Sequence, residues 1–207
     1  MQESIYPAFL EKFKAKVAAI RIGDPADIRT QLGAVISARS RDRILAMLER
    51  GVAQGAKVLS GGGIPEHLQG EGFYLEPTAF YDVDPKSELG QSEVFGPVTV
   101  IMPFKDEAGA LRIASDTQFG LAASVWTQDV ARAHRVAAKL IFGMLWINDH
   151  HRLDPASPWG GFKNSGVGRE TGIDSFDQFS EPRAVTVNTS GVAVDWYADD
   201  GQSKRLN

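Results

Sequence analysis

Apolar residues recur along this chain in two rhythms, and the elements follow from where one gives way to the other. Phe9, Phe13, Val17 and Ile20 fall three or four residues apart, with Glu11 and lysines between them. That spacing predicts a helix over Ser4–Ile20 with one packed face, ended by Gly23-Asp24-Pro25. A second helix is predicted over about Arg39–Gln54, with Ile44, Met47, Leu48 and Val52 facing inward and Gly55 as its stop. Arg39, Arg41, Arg43 and Arg50 form its mostly solvated face, on which Arg43 is a candidate for a phosphate or adenosine contact.

The second rhythm belongs to strands. Ala56–Leu59 reads as a short strand closed by a turn at Gly61-Gly62-Gly63, which leads into Ile64-Pro65 and so makes a poor phosphate cradle. Phe73–Val83 alternates as a strand does, with Pro77 arguing for an edge position or an irregularity. Val98–Phe104 is a stronger strand, after which Asp106 caps a helix to about Ser115. Ala122–Trp126, a helix over Asp129–Leu140, and Met144–Ile147 continue the alternation. Asp174–Phe179 reads as a short helix and Arg183–Asn188 as a β-branched strand. Alternating strands and helices imply a layered α/β fold with a largely parallel sheet, whose functional residues gather at the C-terminal ends of strands.

Composition narrows the function. The chain has 207 residues, 43% hydrophobic and 23% charged, enough for one well-buried domain. A net charge of −4 argues against nucleic-acid and anionic-membrane partners. No apolar run approaches the ~18 residues of a membrane span, and Met1–Tyr6 lacks signal-peptide character. A cytoplasmic location is expected. The chain contains no cysteine, which excludes disulfides and thiolate metal sites.

The stretch Pro158–Gly172 holds five glycines in fifteen residues. It reads as a shaped loop rather than a helix or strand interior. Gly166, Gly168 and Gly172 miss the dinucleotide fingerprint, because the third glycine falls one residue late and no strand immediately precedes them.

Four segments together carry a resemblance: Glu93-Val-Phe95-Gly96-Pro97, Phe119-Gly120-Leu121-Ala122-Ala123, Gly143-Met-Leu-Trp-Ile-Asn148 and the glycine loop. In order and spacing the chain resembles the C-terminal half of an aldehyde dehydrogenase, from about Ser4 to about Asn188. The resemblance implies a three-layer α/β catalytic domain, partial over residues 1–181. It also implies an oligomerisation strand at 182–190 and a polar tail at 191–207. A homo-oligomer is expected, with a small-molecule aldehyde as substrate.

The resemblance also assigns roles. Glu93 is implied to accept hydrogen bonds from the nicotinamide ribose, with Phe95 packing near the nicotinamide ring. On the residues alone, Glu93 reads as a solvated glutamate beside a core phenylalanine. Asp149, His151, Leu153 and Trp159 are implied to line the aldehyde entrance. Trp159, where phenylalanine is commoner, suggests an aromatic-lined tunnel for an apolar or aromatic substrate. A metal reading of His150-His151 fails on the expectation that strand neighbours point to opposite faces, with no third ligand nearby. Lys163, Ser165, Arg169 and Glu170 read as architectural, with Arg169 and Glu170 a pairing or capping device.

Ser115 and Phe119 depart mildly from the family pattern, which favours asparagine and tyrosine there. The absence of cysteine is the severe departure. The family's thiolate adds to the aldehyde, and no serine here shows a base partner to replace it. No residue of this chain is therefore expected to be catalytic, and the chain alone is expected to be inactive. NAD or NADP is expected in the full-length enzyme, held tightly by none of this chain's residues alone. The alternative is a native short interaction module derived from the same fold.

Overall fold

The computed structural model describes residues 1–192. A turn of 3-10 helix at Glu3–Ile5 leads into α1 (Tyr6–Ala18). Val17 is buried and Phe9 stacks on Phe13 at 5.4 Å between ring centroids. The predicted stripe therefore forms the packed face. The Tyr6 hydroxyl fastens this helix to the sheet, donating to the Ile101 carbonyl at 3.0 Å and accepting from the Asp82 amide at 3.1 Å.

Helix α2 (Ala38–Ala53) begins at Ser37, whose hydroxyl accepts from the Ser40 amide. Gly55 follows its end at φ 96°, a conformation that glycine adopts without the Cβ penalty. Ile44, Met47 and Leu48 are buried as expected, but Val52 is 50% exposed. Gly51 takes the inward position instead, where a Cβ would collide with Leu89.

Strands β1 (Lys57–Ser60), β2 (Thr78–Tyr81) and β3 (Val98–Ile101) form one sheet in that order. β1 is antiparallel to β2, and β2 is parallel to β3. Pro77 does not mark an edge, since β2 is the central strand. Proline precedes the first rung, so its missing N–H interrupts no ladder. Ile44, Met47, Leu48, Leu75, Phe80, Val83, Leu89 and Val94 close the core under this sheet. The short helix α3 (Glu88–Gln91) contributes Leu89.

Asp106 caps α4 (Glu107–Ser115) through the Gly109 amide, and Asp129 caps α5 (Val130–Ala137) through the Arg132 amide. Between them lie β4 (Phe119–Gly120) and β5 (Ala122–Val125). β6 (Met144–Ile147) pairs parallel with β5, and β7 (Phe162–Lys163) antiparallel with β4. The α/β class holds, with mixed pairing. The two four-residue ladders around β3 and β5 are parallel, and β1 and β7 add antiparallel partners.

A 3-10 helix spans Ile173–Gln178 where a short helix was expected. Residues 183–188 form no ladder in the single chain and are exposed. An extended segment needs a neighbouring edge to become a strand. The expected tail lies, from residue 193 onward, outside the described residues.

Candidate functional site

The turn between α3 and β3 is built outward from one buried residue. Val94 sits in the core, so Glu93 and Phe95 on either side of it are turned to the surface. Phe95 is 75% exposed and adopts φ 54°, a left-handed conformation that costs a non-glycine residue about 1 kcal/mol. Helix α2 braces it. Arg43 Nη2 donates to the Val94 carbonyl at 2.6 Å. One residue on, Ile44 Cδ1 lies 2.6 Å from where a Cβ on Gly96 would stand. Arg43 is thus engaged with backbone, not displayed as a free phosphate contact.

Phe95 and Gly96 line an open cavity of ≈ 430 Å³ together with Val35, Ile36 and Ser40. Its lining is mainly apolar and includes Ile36, which is 88% exposed. Such a shelf fits a planar heteroaromatic ring. The exposed Glu93 carboxylate on the same turn is an acceptor suited to a vicinal diol.

The second candidate region begins where β6 ends. Asn148 turns the chain at φ 53°. Its side chain accepts from the Thr127 amide and donates to the Thr127 carbonyl, each at 2.8 Å. The loop then folds over Trp146, whose Nε1 donates to the Arg152 carbonyl at 2.8 Å. Trp159 meets Trp146 at 6.4 Å between centroids, and His150 meets it edge-on at 5.6 Å. Trp159 is half-buried and held by mutual backbone bonds with Glu170, both 2.7 Å. Asp149, His151 and Leu153 lie on the 148–153 loop, with His151 and Leu153 exposed.

The histidine pair lies beyond β6, not on a strand, so the opposite-face argument does not apply to it. The rings are 5.9 Å apart. No group of three His, Cys, Asp or Glu residues converges among the described residues.

Sequence reasoning missed that Ser124 Oγ and His150 Nδ1 stand 3.0 Å apart. The two are separated by 26 residues and meet only because β5 and β6 align. No carboxylate is hydrogen-bonded to the His150 ring among the described residues, so the pair lacks the third member of a catalytic triad.

The glycine loop is held as architecture. Arg169 Nη1 donates to the carbonyls of Gly161 and Gly168 at 2.9 and 2.8 Å, and its guanidinium lies 4.6 Å over the Phe162 ring. Arg169 caps carbonyls and does not pair with Glu170. Lys163 Nζ donates to the Ser115 and Thr117 carbonyls, and the Gly120 amide donates to Ser165 Oγ. Gly143 packs so closely on the Gly160 carbonyl that a side chain there has no space.

Comparison with known proteins decides the family. The sequence model of the Aldehyde dehydrogenase family matches residues 1–185. The chain belongs to the aldehyde dehydrogenase family. Among curated relatives, the betaine aldehyde dehydrogenase of Rhizobium etli is 40% identical over 194 residues, covering 94% of this chain and 40% of the relative. That of Sinorhizobium fredii is 42% identical over 192 residues, covering 93% and 39%. The Staphylococcus aureus betaine aldehyde dehydrogenase, solved in complex with NAD⁺, superposes with a TM-score of 0.90 at 35% identity. That match covers 95% of this chain and 39% of the solved one. A Mycobacterium tuberculosis aldehyde dehydrogenase complexed with NAD⁺ gives 0.86 at 38% identity, covering 93% and 39%. The chain thus spans about two fifths of the length of these aldehyde dehydrogenases. No helix among its described residues is long and apolar enough to cross a membrane.

Proposed function

We propose that this chain supplies the nicotinamide shelf and the aldehyde entrance of a cytoplasmic NAD(P)-dependent aldehyde dehydrogenase, working as part of a longer enzyme. The supporting observation is Phe95, exposed at the lip of an apolar cavity and held in a left-handed conformation by α2. The bound dinucleotide would accept hydride from the aldehyde carbon. In this reading Glu93 receives the ribose hydroxyls and Phe95 fixes the plane of the ring. Asp149, His151, Leu153 and Trp159 shape the approach of the aldehyde. With no cysteine in its sequence, the chain alone lacks the family's nucleophile and is inactive.

The names of the relatives make betaine aldehyde the first substrate to test, since a quaternary ammonium is attracted to an indole face such as that of Trp159. An aromatic aldehyde tests the apolar reading of the same entrance. The second reading is a non-catalytic interaction module. The exposed run of Ile173, Phe176, Phe179, Val185 and Val187 favours it, because apolar surface on one segment invites association. In the enzyme reading, the same run serves homo-oligomerisation through residues 182–190.

A chimera in which this chain replaces the matched 194 residues of the Rhizobium etli enzyme tests the proposal. It should reduce NAD⁺ on addition of an aldehyde. Glu93→Gln should raise the KM for NAD⁺ roughly tenfold, the scale of losing a charge-assisted hydrogen bond. A folded chimera without turnover would overturn the enzyme reading. NADH formed by the isolated chain would overturn the claim of inactivity.

A further inference from the structure

Beyond the peptide link between them, the two α/β units of this chain are tied at a single residue. The extensive contacts between helices and strands lie within residues 1–105 or within residues 106–192. No β-ladder runs from one unit to the other. Among the described residues, the hydrogen bonds that cross between the units all end on Asp116, just past α4. Lys86 Nζ donates to its carboxylate and Gln91 Nε2 to its carbonyl, each at 2.7 Å.

The end of a helix explains why the tie forms there. Its last carbonyls have no intrahelical partner, so side chains that carry N–H groups gather on them. Gln91 reaches the Asp116 carbonyl. Lys163 Nζ, from the glycine loop, reaches the carbonyls of Ser115 and Thr117 at 3.2 and 3.0 Å. Asn164 Nδ2 adds a bond to Gln118 Oε1 at 2.9 Å. Residues 115–118 are thus gripped by the first unit and by the glycine loop alike.

Gln91 makes the more exacting of the two crossings. An amide nitrogen carries two N–H groups, and both are used, one on Asp116 and the other on the Pro85 carbonyl at 2.7 Å. The Lys86 side chain is 70% exposed, so its ion pair contributes little by itself. Gln91 is half-buried, ends α3 and stands two residues before Glu93. Helix α3 is itself clamped to α2, where Arg50 donates to both Glu88 oxygens at 2.8 Å. Lys163 stands four residues past Trp159. The Glu93–Phe95 turn and the Trp159 region are therefore referred to the same short turn.

We propose that Gln91 is a positioning residue: by holding the Asp116 carbonyl it sets the separation of the Glu93–Phe95 turn from the aldehyde entrance. It touches neither cofactor nor aldehyde and acts through residues 115–118. Hydride passes only between closely apposed atoms, and a misplacement of about 1 Å can cost on the order of 100-fold in rate. The inference rests on the reading of these two regions as parts of one enzyme site. Its first readout is a distance, not turnover, so the two can fail separately.

The sequence contains no cysteine, so introduced thiols take spin labels uniquely on the full chain. One labelled pair joins shelf to entrance, Glu93→Cys with Leu153→Cys. A control pair lies within the first unit, Glu93→Cys with Val52→Cys. Dipolar EPR reads the spread of each distance. Gln91→Leu removes both donors at similar size, and should widen the first distribution roughly twofold, as when a local contact opens, while the control pair holds. Gln91→Arg restores donors and should restore the narrow distribution. In the chimera, Gln91→Leu should lower kcat roughly tenfold with KM for NAD⁺ unchanged. It should also raise the isotope effect for an aldehyde deuterated at its carbonyl carbon, because hydride transfer becomes the slow step. Gln91→Arg should reverse both changes. Should Gln91→Leu fail to fold, Gln91→Asn, one methylene short of both carbonyls, gives the same comparison. An unchanged first distribution would overturn the proposal. So would widening of both pairs, or a fall in kcat with the isotope effect unmoved, since either marks a merely structural role. A chimera without turnover even with Gln91 in place would sink the enzyme reading and leave the distances to decide this one.

Discussion

Phe80, at the centre of the β1–β2–β3 sheet, has no exposed surface and is surrounded by seven other buried apolar residues drawn from residues 44–94. Trp146, at the centre of the β5–β6 ladder, is the one large buried side chain of its region among the described residues. Around it Leu121, Trp126, Ile141, Leu153 and Phe162 remain exposed. The first region is organised by a side-chain core, the second by backbone contacts: parallel rungs, carbonyls capped by Lys163 and Arg169, and glycines in van der Waals contact. Both α/β units use similar elements, so the difference lies in how much apolar partner surface each finds within this chain.

Several substitutions sharpen that contrast. Phe80→Ala should have the largest effect, lowering the stability of the first region by about 3–5 kcal/mol through cavity formation, measured by urea unfolding. Gly143→Ala should cost about 1–3 kcal/mol, because its Cβ meets the Gly160 carbonyl and backbone must move. Its damage should be confined to residues 118–172, visible as faster amide exchange there and unchanged exchange in β2. If Gly143→Ala loosens both regions together, the comparison fails.

A smaller effect should come from acid. The α4–α5 pairing is held by Arg135, which donates to both Glu107 oxygens at 2.9 and 2.7 Å. That hydrogen-bonded guanidinium holds the Glu107 carboxyl below its usual value of 4.5. A depressed carboxylate contributes stability above its unfolded pKa and loses it as pH falls through the folded one. A modest loosening of α5 below pH 4.5, absent in Arg135→Gln, is expected by hydrogen exchange. Phe176→Ser should be the smallest, within about 0.5 kcal/mol, since this side chain is 71% exposed in the single chain. A larger loss would mean that the 173–187 run is already covered by another copy in solution.

The elements legible in the sequence were those with caps and long periods. Asp106 and Asp129 announce α4 and α5, and each accepts from the amide three residues on. The β4–β7 pair went unread because two-residue strands show no period, and their partners lie 42 or more residues apart. Val52 was misplaced because the inward position belongs to Gly51, whose lack of a side chain admits Leu89 and leaves no hydrophobic signal. The Glu93–Phe95 turn was legible as a motif, but not the Arg43 bond that shapes it, which spans 51 residues. Ser124–His150 was hidden for the same reason: register between strands is a tertiary fact.

Asn148 has a consequence beyond the loop it starts. Its side-chain amide offers Thr127 one donor and one acceptor, as a peptide unit would, and so adds a false rung just past the last true one. A slip of β6 by a single residue would forfeit both bonds, while every apolar side chain of the strand changed faces. The residue thereby works as an alignment pin. It also joins two turns that are distant in sequence, the one that leaves β6 and the one that leads into α5.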